Sequence, residues 1–201
     1  SQKDGPGFSS SPVSPVHSPD PLGKFERSMV FVPSPYPEGN WQPAGVPFED
    51  AWFTSADGTR LHGWYLAHPN PRAVVLYCHG NGGNVAMWSD ALRNLHDRVQ
   101  VSVLGFDYRG YGRSEGMPDE AGVLADARAA RAWLSHRAGV EEDEIVLIGR
   151  SLGGAVAIDL AASDGARALV LESTFTSLPA LARILMPQLP VQAIMRTKFD
   201  S

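Results

Sequence analysis

The sequence predicts an α/β architecture, a mostly parallel sheet with helices on both faces. Three observations carry that expectation. Uninterrupted apolar runs recur along the chain, as in Ala73-Val74-Val75-Leu76-Tyr77-Cys78 and Ile145-Val146-Leu147-Ile148, the mark of strands buried on both faces. Segments with a 3.6-residue apolar period separate those runs. Glycine-rich turns follow several of the runs, and open sheets of this kind place their chemistry beyond the carboxyl ends of the strands.

Taken in order, residues 1–23 are a Pro/Ser-rich leader. Ser, Pro and Gly fill 13 of the first 21 positions, too polar and stiff a stretch to bury a face. Residues 24–47 alternate short apolar pieces with proline and read as an arm packed on the domain, which occupies 48–201. Residues 48–54 and 60–67 flank Ser55-Ala56-Asp57-Gly58-Thr59 and predict a hairpin, with Asp-Gly supplying positive φ. Strands follow at 73–78, 101–106, 145–148 and 168–171, six in all. Helices are expected at 85–96, 120–138 and 152–163. In the second of these, Val123, Ala127, Ala130 and Leu134 form one stripe, Asp119 caps the start and Gly139 the end.

Composition narrows the function classes. Hydrophobic residues at 43% and charged residues at 19% are a globular balance and exclude wholesale disorder. A formal net charge of -5 with no Lys/Arg run speaks against nucleic acid as a partner. Cys78 is the single cysteine, so no internal disulfide is available. No apolar stretch is long enough to cross a membrane. The chain begins at Ser1, and a segment before it is the only route to membrane contact that the sequence leaves. No motif calls for a cofactor, and the histidines lack metal-ligand spacing, so the metal expectation is none. The expected partner is a small-molecule or acylated substrate.

The pattern G-x-S-x-G occurs twice, at Gly112–Gly116 and Gly149–Gly153. A nucleophile elbow needs a strand running straight into a tight turn and then a helix, with small residues two positions either side of the serine. Ser151 meets these conditions, with the run 145–148 before it and Gly153-Gly154-Ala155 opening a helix after it. Ser114 does not, because its preceding strand ends near Asp107 and Pro118 blocks a helix. The segment Asp107-Tyr108-Arg109-Gly110-Tyr111-Gly112 reads instead as a loop shaping the site. A second Gly-rich loop, His79-Gly80-Asn81-Gly82-Gly83-Asn84, follows strand 73–78 and lacks the spacing of the nucleotide-binding loops. For acyl transfer it would supply one oxyanion donor, the amide of Asn81, with the amide of Leu152 as the other.

Together, His79-Gly80-Asn81-Gly82, Asp107–Gly112 and Gly149-Arg150-Ser151-Leu152-Gly153-Gly154 resemble the α/β-hydrolase superfamily over residues 48–201. Glu172-Ser173-Thr174-Phe175-Thr176-Ser177 resembles its serine-aminopeptidase-like branch, which includes membrane-associated lipases, esterases and protein depalmitoylases. The resemblance implies an α/β-hydrolase-type sheet, Ser151 as nucleophile and the Asn81 and Leu152 amides as oxyanion hole. His79, Gly80, Gly82, Gly149 and Gly153 would shape the site, beneath a pocket roofed by residues between strands six and seven. The activity implied is cleavage of an ester or thioester, with a serine peptidase or a non-catalytic binding protein on the same fold as the alternatives.

The family order is serine, acid, histidine, and all six histidines precede residue 137. His79 reads as structural at the start of its loop, and His62, His96 and His136 as core or surface residues. Of the later acids, Asp159 and Asp164 are expected to face solvent, Glu172 ends strand six, and Asp200 lies at the terminus. The family has eight strands against the six found here. The resemblance therefore implies that the last two strands, with the acid and the histidine, lie beyond Ser201, and that this chain alone turns over poorly. Cys78, beside His79 on a strand, reads as a buried apolar residue. The Pro-broken segment Ser177–Met195 reads equally as pocket lining or as an amphipathic helix on the sheet.

Overall fold

A computed structural model describes residues 31–173 and 192–197. The leader, Lys24–Val30, Thr174–Ser177, most of the segment up to Met195, and Asp200 lie outside them.

The main sheet has seven strands: β2 (Glu49–Thr54), β3 (Arg60–Leu66), β4 (Val74–Cys78), β6 (Ser102–Asp107), β7 (Val146–Arg150), β8 (Ala168–Ser173) and β9 (Gln192–Thr197), in the spatial order β2-β3-β6-β4-β7-β8-β9. The pairs β2/β3 and β3/β6 are antiparallel and the rest are parallel. Six of these strands match the apolar runs and the hairpin. The seventh corrects the count of six, since β9 begins inside the stretch Ser177–Met195 read as helix or pocket lining and runs on to Thr197. A separate two-residue ladder pairs β1 (Val32–Pro33) with β5 (Gly82–Gly83) in parallel.

The hairpin turn closes through the Ser55 N–H on the Thr59 carbonyl at 2.8 Å, with φ +89° at Gly58. The strands run apolar on both faces because helices cover them, and every residue of β4 and β6 is buried. Trp64, Leu66, Val75, Tyr77, Val103 and Ile148 form the centre of one core cluster, closed from outside by Val85 and Leu92.

Of the helices, α2 (Glu120–Ala138) forms over the expected range. The Asp119 carboxylate accepts the Gly122 N–H, and Gly139 ends the helix at φ +70°. Its buried face holds Val123, Ala127, Ala130 and Leu134, but also Asp126 and Arg131. The helix expected at 85–96 is broken into three pieces: a 3₁₀ turn at Val85–Trp88, α1 (Ser89–Asn94) and a π turn at Leu95–Val99. The Asn84 side chain starts the first turn by accepting the Ala86 N–H, and Gln100 at φ +63° closes the last. Helix α3 (Leu152–Asp164) packs on β4, β7 and β8 beside α2, which itself lies against β2, β4 and β6. Across the α2–α3 contact, Arg128 bonds both Asp159 and Asp164, at 2.8 and 3.2 Å. These two acids are half-exposed and occupied in that contact, away from the elbow.

Candidate active site

Strand β7 passes into α3 through one residue, Ser151, at φ +52° and ψ −115°. A non-glycine residue in this region costs roughly 1–3 kcal/mol and persists only where its surroundings over-determine it. Here they do. The Ser151 N–H bonds the Glu172 carbonyl at 3.3 Å, carrying the β7/β8 ladder one residue further, while the Ser151 carbonyl accepts the Gly154 N–H at 2.8 Å. A Cβ on Gly149 would overlap the Gly153 carbonyl, and one on Gly153 would overlap the Cys78 carbonyl oxygen. The helix thus enters against the bare backbone of both neighbouring strands, which only glycine at both positions allows. The amide of Leu152 lies in the first turn, where no intrahelical carbonyl reaches it.

The loop after β4 lies against this turn. A Cβ built on Gly80 would sit 3.7 Å from the Ser151 Cβ and 3.5 Å from the Arg150 carbonyl oxygen. Asn81, next along, accepts the Val32 N–H on Oδ1 at 3.1 Å. The Tyr111 hydroxyl approaches the same Oδ1 at 2.8 Å and the Asn81 carbonyl at 3.0 Å. Gly82 is engaged in the β1/β5 ladder.

His79 is buried. Its Nδ1 donates to the Gly80 carbonyl at 2.7 Å, and its Nε2 lies 3.3 Å from Asp107 Oδ1 without hydrogen-bond alignment. Its ring is enclosed by Trp88, Tyr108 and Tyr111. This is the environment of a residue that braces its own loop. The other described histidines are engaged elsewhere. His62 Nε2 bonds Asp50 at 2.6 Å, and His96 bonds Asp97 and meets the His68 ring edge to face. His136 lies on the exposed side of α2. Among the described residues, no hydrogen bond joins the Ser151 hydroxyl to a histidine.

The other serine of the repeated pattern is structural. Ser114 is buried, donates from Oγ to the Asp107 carbonyl at 2.7 Å and accepts the His62 N–H at 3.0 Å, bridging the ends of β3 and β6. Cys78 is buried, and burial pushes its thiol up to about 12, so it is no thiolate at neutral pH. Glu172 approaches Arg150 at 4.0 Å, both half-exposed beside the elbow.

Sequence reasoning read Asp107–Gly112 only as a loop and missed which side chains do the holding. Asp107 Oδ1 accepts the Val85 N–H at 2.7 Å, and Tyr108 donates to the His79 carbonyl at 2.9 Å. Arg109 forks onto buried Asp126 and reaches Asp57 at 2.8 Å. The one clue to Asp107 and Tyr108 was the Asp-Tyr-x-x-Tyr spacing that closes a buried strand. No group of residues suited to holding a metal occurs among the described residues.

A mostly parallel sheet whose fifth strand in sequence order turns through a positive-φ serine into a helix defines a class, and comparison with known proteins agrees. Residues 73–193 match the family model described as alpha/beta hydrolase fold. An esterase of Pyrococcus furiosus superposes with a TM-score of 0.59 at 25% identity, over 71% of this chain and 56% of that one. An alpha/beta hydrolase of Novosphingobium aromaticivorans gives 0.52 at 31% identity, over 63% and 44%. The chain belongs to the alpha/beta hydrolase fold family. Among curated relatives, an uncharacterized protein of Mycobacterium tuberculosis is 40% identical over 88% of this chain and 63% of its own length. The alpha/beta hydrolase domain-containing protein WAV2 of Arabidopsis thaliana is 38% identical over 83% and 57%. The chain thus spans between half and two thirds of the length of these relatives.

Proposed function

We propose that Ser151 is the nucleophile of a serine hydrolase that cleaves a carboxylic ester or thioester. The carrying observation is the backbone of Ser151, held at φ +52° between β7 and α3 beside the Gly80–Asn81 loop. In this reading Ser151 Oγ attacks the acyl carbon and gives its proton to a general base. The Asn81 and Leu152 N–H groups hold the oxyanion of the tetrahedral intermediate. Collapse expels the alcohol or thiol, which takes the proton, and water then hydrolyses the acyl-enzyme. In this fold the acid and the histidine follow the serine in chain order, so the test uses protein expressed from the complete reading frame. A fluorophosphonate probe should label the wild type and not Ser151→Ala. Folded wild-type protein that takes no label would overturn the reading.

A non-catalytic binding protein is the second reading, favoured by the lack of a described histidine bonded to Ser151. Absent labelling and absent turnover, with the fold intact, would select it. Substrate profiling separates ester, thioester and peptide cleavage, since all three would use the same elbow.

A further inference from the structure

We infer that Tyr111 is a positioning residue for the oxyanion donor, acting with the N-terminal arm through Asn81; this rests on the proposed Ser151 chemistry. An amide helps an oxyanion only when held to within roughly 0.5 Å of the productive geometry. Asn81 is the one residue with a side chain between Gly80 and Gly82-Gly83, so its neighbours give the loop little conformational restraint. The restraint comes from elsewhere. The fully buried Tyr111 presents one hydroxyl to both the carbonyl and Oδ1 of Asn81, at 3.0 and 2.8 Å. Val32 adds its N–H to the same Oδ1 at 3.1 Å and pairs with Gly82 along the short parallel ladder.

The two supports are themselves tied together. The Tyr36 N–H bonds the Gly112 carbonyl at 2.9 Å, and the Gly112 N–H bonds the Ser34 carbonyl at 3.0 Å, one residue beyond Tyr111. Tyr108 secures the loop's first residue through the His79 carbonyl, and Asp107 its far end through the Val85 N–H. Burial pushes the Tyr111 phenol up to about 12, so it remains a neutral donor at neutral pH.

The test compares wild type with Tyr111→Phe, which removes the hydroxyl and keeps the ring. An ester substrate should show kcat down about tenfold with KM within about twofold, the pattern of a lost transition-state interaction. A trifluoromethyl ketone, whose serine adduct carries an oxyanion, should weaken by the same factor, while the matching methyl ketone binds unchanged. Val32→Pro deletes the second donor at an exposed position and should lower kcat about threefold in the same pattern. It carries the test if Tyr111→Phe does not fold. Unchanged kcat in the folded variants while Ser151→Ala is inactive overturns the positioning role alone. Equal weakening of both ketones also overturns it, since that marks a general structural loss. Retained turnover in Ser151→Ala overturns the nucleophile reading, and this inference with it.

Discussion

The chain carries the tripeptide Gly-Arg-Ser followed two residues on by glycine in two places, and the two serines have opposite fates. At Gly112–Gly116 the serine sits in a loop, and both hydrogen-bonding directions of its hydroxyl serve backbone groups of His62 and Asp107. At Gly149–Gly153 the serine occupies the joint between β7 and α3, caps nothing on its own helix, and borders a loop of small residues. The pentapeptide does not decide between these outcomes. What precedes it does: a strand delivers Ser151 directly, whereas six residues separate the end of β6 from Ser114.

The sharpest way to break this contrast is to remove each hydroxyl in turn. Ser151→Ala should cut ester turnover about ten-thousandfold or more, the scale of losing a nucleophile. Ser114→Ala should leave turnover within about threefold while costing about 1–3 kcal/mol of stability, because it strands the buried His62 N–H. Steady-state kinetics and urea denaturation of both variants check the pair; the reverse ranking in turnover would exchange their roles.

Next comes the glycine that sets the elbow. Gly153→Ala places a methyl on the Cys78 carbonyl and should destabilise by more than about 4 kcal/mol, seen as insoluble protein or a collapsed thermal transition. On the Ser114 side the corresponding support is ionic. Asp126→Ala would leave Arg109 largely buried with the half-exposed Asp57 as its remaining ionic partner and the Ser55 hydroxyl beside it, and should cost about 3 kcal/mol in denaturant titration with Ser151 chemistry little changed.

The smallest effect is a pH dependence on the Ser114 side. Burial holds the His62 imidazole below its ordinary value of 6.5, with Asp50 and Asp107 pulling it back up and Arg113 adding to the depression. Below pH 6.5 the unfolded chain takes up a proton that the folded one resists, so this contribution to stability is whole above that pH and is lost as pH falls. His62→Gln should flatten the fall of the melting temperature over that range. An identical slope in the variant would assign the dependence to other groups.

Much of this was legible beforehand, for reasons that differ by element. Strands β4, β6 and β7 declare themselves as apolar runs because both of their faces are covered. Helix α2 shows its stripe within the nineteen residues where it forms, with Asp119 and Gly139 flanking them as cap and stop. The elbow was legible because its demand is for absent side chains at 149 and 153. The broken helix after Asn84 was not, since its apolar positions fit a continuous helix and no proline or glycine marks the changes of turn at Ser89 and Leu95. Nor were Asp107, Tyr108 and Tyr111 legible as supports. Apart from the Asn81 side chain that Tyr111 meets, their partners are backbone atoms of residues 79–85, and a contact to backbone leaves no mark in the partner's identity. Strand β9 was hidden for a different reason, because its apolar run is only Ala193-Ile194-Met195 and three prolines interrupt the stretch before it.

The contact between Gly153 and the Cys78 carbonyl also bears on how the sequence can drift. The spacing between the serine and the neighbouring loop is gauged there by main chain against main chain, with no side chain between. Substitutions among Leu, Ile and Val elsewhere in the interior can accumulate without re-spacing the two. The register of serine against loop is therefore set by a few glycines rather than by the identity of the apolar side chains around them.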